Sequence, residues 1–165
     1  MPTTWVDTIT LGDGLAGASQ SCAVPAAAAA LPLRWLVALG QGYHAWLGRL
    51  TFLAVAPRQS GGACVGLWPA PARLRLLCFG PPYLAAARGG RELRYPIVGG
   101  LMARGPGGYL AFGVAAEGVG ARLWADVVGY RPRLGLGPLY TLTQARFHAV
   151  ITVCYLRRVV AANGW

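Results

Sequence analysis

The chain has no lysine and a single asparagine, Asn163, so all 15 of its basic residues are arginine. Against them stand only Asp7, Asp13, Glu92, Glu117 and Asp126, which leaves a formal net charge of +10. So few carboxylates, so widely spaced, argue against paired-carboxylate catalysis, although Glu117 and Asp126 are placed to meet across two late strands. His44 and His148 are the only imidazoles, and Gly17-Ala18-Ser19-Gln20-Ser21 lacks the second glycine of a nucleophile elbow, so no serine triad is expected. Cys22, Cys64, Cys78 and Cys154 form no C-x-x-C pair and have no histidine at ligand spacing. That gives a zinc site little support and fits small buried thiols in a reducing, cytoplasmic compartment.

Long spanning runs are missing too. The longest uncharged stretch, Gly14 to Leu33, contains Ser19, Gln20, Ser21 and Pro25 and is mostly Ala and Gly, a poor transmembrane helix. Trp35 to Gly48 and His148 to Leu156 are too short to cross. Asp7 and Asp13 precede the first arginine, Arg34, which is the reverse of a signal-peptide start, so export is not indicated.

Gly12-Asp13-Gly14-Leu15-Ala16-Gly17 matches the dinucleotide pattern G-x-G-x-x-G, but 24 glycines bring such a match near chance. No acid follows between Asp13 and Glu92, and Pro25 cuts the helix the motif requires. No cofactor and no metal are expected.

What is present is apolar: 55% of the residues are hydrophobic and 12% charged. A chain of 165 residues buries roughly 70% of its unfolded surface, which suits one domain spanning 1–165. Trp5 to Leu11 alternates at period two and reads as a strand ending at Gly12. After a Gly/Ser stretch, the region from Pro25 to about Arg49, interrupted by Pro32, Gly40 and Gly42, predicts two short helices. Leu50 to Ala56, Ala63 to Trp68, Arg73 to Phe79, Arg91 to Met102, Gly108 to Ala116 and Ala121 to Tyr130 are short apolar runs bounded by turn residues. Gaps this short cannot hold crossover helices, so the strands are expected to form an antiparallel meander. Gly105-Pro106-Gly107-Gly108 predicts a hairpin turn, and Leu139 to Ala162 a long C-terminal helix with Pro138 at its start. The fold class is therefore α+β, an antiparallel sheet of about seven strands around a long C-terminal helix.

This element order, together with Arg94-Tyr95-Pro96-Ile97-Val98-Gly99-Gly100-Leu101 and Gly129-Tyr130-Arg131-Pro132-Arg133-Leu134, resembles a bacterial branch of the START-like, helix-grip superfamily. That group includes lipid-transfer proteins, plant pollen allergens, and polyketide cyclases and dehydratases. The resemblance implies a curved sheet gripping the last helix around an apolar cavity for a hydrophobic small molecule of lipid or polyketide type. It transfers no catalytic residue, because members share the cavity and differ in its lining.

On the C-terminal helix, Arg146 and Arg157 fall on one line, with Gln144, His148, Tyr155 and Val159 nearly opposite and Ile151 and Thr152 beside them. Leu139, Leu142, Val150 and Val153 lie nearer the arginines. The polar face predicts ligand-binding handles at His148, Tyr155, Gln144 and Thr152, with Arg94 as an anion partner. The competing reading of His148 is a core-edge ring bonded to a carbonyl. Trp124, Asp126, Val128 and Tyr130 share a strand face, which adds Trp124 to the candidates; Asp126 pairs with an arginine inside a cavity or at the surface. An inward His148 is expected to be neutral, and an enzymatic variant would use it as acid or base. The spaced arginine pairs Arg73/Arg75, Arg91/Arg94 and Arg131/Arg133 lack interleaved aromatics, so the alternative they predict is a non-catalytic module that docks on an anionic membrane or on nucleic acid without specific sequence recognition.

Overall fold

The computed structural model describes residues 5–12, 15–50, 55–59, 63–67, 75–133 and 146–165. Trp5–Gly12 (β1) and Leu15–Pro25 (β2) form a hairpin, and a short 3-10 turn, Ala26–Ala30, leads into the helix Leu33–Leu50 (α1). The strands Val55–Gln59 (β3), Ala63–Leu67 (β4), Arg75–Phe79 (β5), Tyr83–Ala87 (β6), Gly90–Gly99 (β7), Tyr109–Glu117 (β8) and Gly120–Tyr130 (β9) follow, and the helix Arg146–Ala162 (α2) comes last.

All described pairings are antiparallel, in one curled sheet of order β1-β2-β9-β8-β7-β5-β4-β3, with β6 on the same edge of β7 as β5. The first hairpin thus joins the last strand, and the meander between them runs back across the sheet. Because side chains alternate along each strand, Leu93, Tyr95 and Ile97 of β7, Leu110, Phe112 and Val114 of β8, and Leu123 and Ala125 of β9 share one face. Leu36, Leu39 and Tyr43 of α1 and Ile151, Tyr155, Leu156 and Val160 of α2 complete that core. No described helix is long and apolar enough to cross a membrane.

The α+β architecture is as expected, with four corrections. Leu15–Pro25 is an eleven-residue strand rather than a Gly/Ser stretch. Its buried positions are Ala16, Ala18, Gln20, Ser21, Cys22 and Val24, residues too small or too polar to stand out against their neighbours as an alternating strand. The region after it holds a 3-10 turn and one 18-residue helix instead of two short helices. Gly40 and Gly42 do not break α1; they admit neighbours, since a Cβ at Gly40 would lie 2.2 Å from the Tyr95 hydroxyl and one at Gly42 2.6 Å from that of Tyr155. β6 was not expected because Pro81 and Pro82 precede it and three of its five residues are exposed. Finally, β7 ends at Gly99, and a loop from Gly100 to Gly108, longer than the predicted turn, connects it to β8. Residues 139–145 of the predicted C-terminal helix lie outside the described residues.

Candidate functional site

Both helices lie on the core face of the sheet, and their polar side chains meet there. From α1, the Tyr43 hydroxyl stands 3.2 Å from His148 Nδ1 and 3.3 Å from Thr152 Oγ1, and Thr152 Oγ1 stands 3.4 Å from His148 Nε2. These contacts are long, yet they close a ring in which each group donates once and accepts once, provided that the imidazole carries one proton. A second proton would turn both nitrogens into donors and leave a hydroxyl hydrogen without an acceptor. Burial works in the same direction: it lowers the pKa of His148 to about 4, against a small opposing pull from Asp7. Burial also pushes the Tyr43 phenol up to about 12.

Tyr155 lies one turn along α2, edge-on to Tyr43 at 5.4 Å, and its hydroxyl donates to the Leu39 carbonyl. His44, which follows Tyr43 in sequence, is also buried; its Nδ1 is 2.9 Å from the Gly40 carbonyl, so Nε2 is the acceptor, and it faces Phe79 and Tyr95. Burial lowers its pKa as well. His44 Nε2 and the Tyr95 hydroxyl are buried without a hydrogen-bond partner.

On the other side of Tyr155 a groove of about 380 Å³ runs between α1 and α2. Trp35, Leu39, Gly42, Trp46 and Arg49 line it from α1, and Tyr155, Arg158 and Val159 from α2. The Arg158 guanidinium sits 5.5 Å from the centre of the Trp46 ring, and the buried Trp46 Nε1 has no acceptor. The carboxylates of Asp7, Glu92, Glu117 and Asp126 are engaged by Gln20, Arg94, Arg122 and Arg88 respectively, none of them a groove residue. The groove therefore combines indole walls, two cations and a free N–H donor.

The opposite face of the sheet carries the remaining candidates. Cross-strand register aligns Arg94, Ala111, Asp126 and Ser19 in one row and Glu92, Gly113, Trp124 and Ser21 in the next. Trp124 is fully buried, lies over Gly113 and donates to Glu92 Oε2 at 2.9 Å, while Arg94 Nε donates to Glu92 Oε1 at 2.6 Å. Arg88, from the β6–β7 turn, reaches Asp126 at 2.6 Å and stacks on Trp124. Burial raises the pKa of Asp126, opposed by Ser19 and Arg88. Glu117 does not meet Asp126; it pairs with Arg122.

The chain matches no family model, no curated protein and no solved structure. Function must therefore be argued from these side chains.

Of the sequence candidates, His148, Thr152 and Tyr155 come together on the core face, whereas Arg94 and Trp124 belong to the opposite face and tie up one carboxylate. Gln144 lies outside the described residues. Arg146 and Arg157 are exposed, as the helical projection requires, and so is Val150 beside them. The groove residues of α1 were not anticipated. Their signal was Trp35, Leu39, Gly42, Trp46 and Arg49, a single stripe at intervals of three and four, hidden because the region was read as two helices. Among the described residues no group of three His, Cys, Asp or Glu side chains could hold a metal ion.

Proposed function

We propose that the protein binds a small, mostly apolar anion of lipid or polyketide type, and that its acidic group sits between Arg49 and Arg158 in the α1–α2 groove. The groove itself carries the reading: its volume falls at the small end of ligand pockets, its walls are aromatic and aliphatic, and its only cations have no carboxylate partner among the described residues. Tyr155 links it to the ring of Tyr43, His148 and Thr152, whose hydrogen-bonding capacity is used internally. The curled antiparallel sheet and C-terminal helix support a helix-grip relationship, and a cytoplasmic setting belongs to the same proposal.

Binding is favoured over turnover. At neutral pH both described histidines are uncharged, so neither supplies an imidazolium as general acid, and both nitrogens of His148 are already engaged.

The test uses anilinonaphthalene sulfonate, an apolar anion, titrated into the purified protein and displaced with decanoate. Arg49→Met together with Arg158→Met is expected to weaken both by about tenfold or more, from the loss of roughly 1.4 kcal/mol of charge-assisted contact. Decanol, which has the chain without the charge, should compete poorly. Equal dissociation constants for the wild type and the double variant would refute the assignment.

A further inference from the structure

One end of the sheet gathers arginine in a way the groove does not explain. The β7–β8 loop is strapped to its neighbours by backbone hydrogen bonds: Leu101 N to Arg75 O at 2.7 Å, Met102 N to Leu76 O at 3.0 Å, Arg104 N to Arg131 O at 2.9 Å and Arg133 N to Met102 O at 2.7 Å. Gly100 permits the close approach to β5, because at φ +124° a Cβ there would lie 2.4 Å from the Leu76 carbonyl oxygen. Three chain segments remote in sequence thereby bring Arg75, Arg104, Arg131 and Arg133 to one end of the fold, all of them exposed. The four described carboxylates are each engaged elsewhere, by Gln20, Arg94, Arg122 and Arg88.

Within this cationic end stands one large aliphatic side chain, Leu101, 48% exposed and strapped through its backbone N–H to Arg75. Clustered arginine alone would suit any polyanion. An exposed leucine among the arginines is of no use to a phosphate backbone or to bases, which are held by stacking and hydrogen bonds. They suit a surface whose phosphates overlie hydrocarbon, where guanidinium groups pair with headgroups and Leu101 enters below them.

We infer that the β7–β8 loop, with Arg75, Arg131 and Arg133 beside it, docks the protein on an anionic phospholipid surface. The inference is independent of the groove, since the residues are different and lie on different elements.

The experiment is co-sedimentation of the full chain with vesicles of phosphatidylcholine alone and of phosphatidylcholine with about one-third phosphatidylglycerol. Partition onto the anionic vesicles only, falling steeply with salt, is expected. Arg131→Gln and Arg133→Gln should each lower it about fivefold, and Leu101→Asp more, whereas Arg49→Met in the groove should leave it unchanged. Leu101 and the two arginines are exposed, so the variants should retain the wild-type circular dichroism. The same variants are titrated with duplex DNA: a loss on Arg131→Gln for DNA but not for vesicles would overturn the inference in favour of nucleic acid. Failure to bind anionic vesicles, or binding indifferent to Leu101→Asp, would overturn it as well.

Discussion

The two faces of this sheet are both buried at their centre, but by different means. The core face meets two helices and is filled with large apolar side chains such as Leu110, Phe112 and Leu123, with three of its polar groups closed into a small neutral ring at Tyr43, His148 and Thr152. In the described residues, the opposite face has small residues at its centre, Ala111, Gly113 and Ala115, with Trp124 laid over Gly113. Arg88, Arg94 and Arg122 surround it and neutralise Asp126, Glu92 and Glu117. A face covered by helices selects apolar bulk, whereas among the described residues this one is overlaid by a flat indole and the long stems of arginine, whose charged ends still reach water.

If the opposite face is a second core, Trp124→Ala should destabilise the protein by about 3–5 kcal/mol in urea unfolding, comparable to deleting a large side chain such as Leu156 from the helix face. The indole is fully buried and satisfies Glu92 Oε2, so its removal opens a cavity and leaves one carboxylate oxygen without its donor. A cost under about 1 kcal/mol would mean that the face is merely a decorated surface.

Arg88→Ala probes the same face with a smaller effect, about 1–2 kcal/mol, because the Arg88 side chain is 46% exposed although its Asp126 partner is buried. The sign with pH is specific. Asp126 already binds its proton more tightly folded than unfolded, so its charge opposes folding above the ordinary carboxylate range and ceases to do so as pH falls. Without Arg88 that opposition grows at neutral pH and vanishes in acid, so the penalty should shrink as pH is lowered. Adding Asp126→Asn should recover part of the loss at neutral pH; no recovery would show that Arg88 acts through its stacking on Trp124.

Much of this contrast could not be read in advance. The meander, the solvent line of Arg146 and Arg157, and the inward turn of His148 follow from periodicity, which the chain displays openly in β7 to β9 and in α2. The hairpin of β1 and β2 was half missed because Ala, Ser and Cys differ too little in hydrophobicity to mark a face. Gly40 and Gly42 carry opposite meanings in one sequence and in one structure: breakers by propensity, and in the fold the only residue type that lets Tyr95 and Tyr155 cross α1. The groove is invisible if those glycines are taken as breakers, since its aromatic stripe exists only if α1 is continuous. The partners of Asp126 and Glu92 depend on register, which fixes who lies opposite whom and is not visible along a single strand.

The smallest effect at neutral pH, and the clearest separation of the two faces, is expected from His148→Leu. The substitution keeps volume and leaves Tyr43 and Thr152 to bond each other, so stability near pH 7 should change by less than about 1.5 kcal/mol. In acid the difference emerges. The folded-state pKa of about 4 lies below the ordinary value of 6.5, so between those pH values the unfolded chain binds a proton that the folded one refuses. Wild-type stability should therefore fall as pH drops through this window, by on the order of 3 kcal/mol in total at roughly 1.4 kcal/mol per pH unit. The variant should lose most of that slope and keep only the part due to His44, whose pKa is also lowered. Asp126 titrates with the opposite sign on the other face, so the wild-type curve is the difference of the two, and removing the imidazole should expose the carboxylate's gain in stability at the acid end. Urea midpoints measured from pH 7 down to pH 4 decide it: parallel curves for wild type and variant would mean that the imidazole protonates freely in the folded protein, and the closed ring with Tyr43 and Thr152 would be wrong.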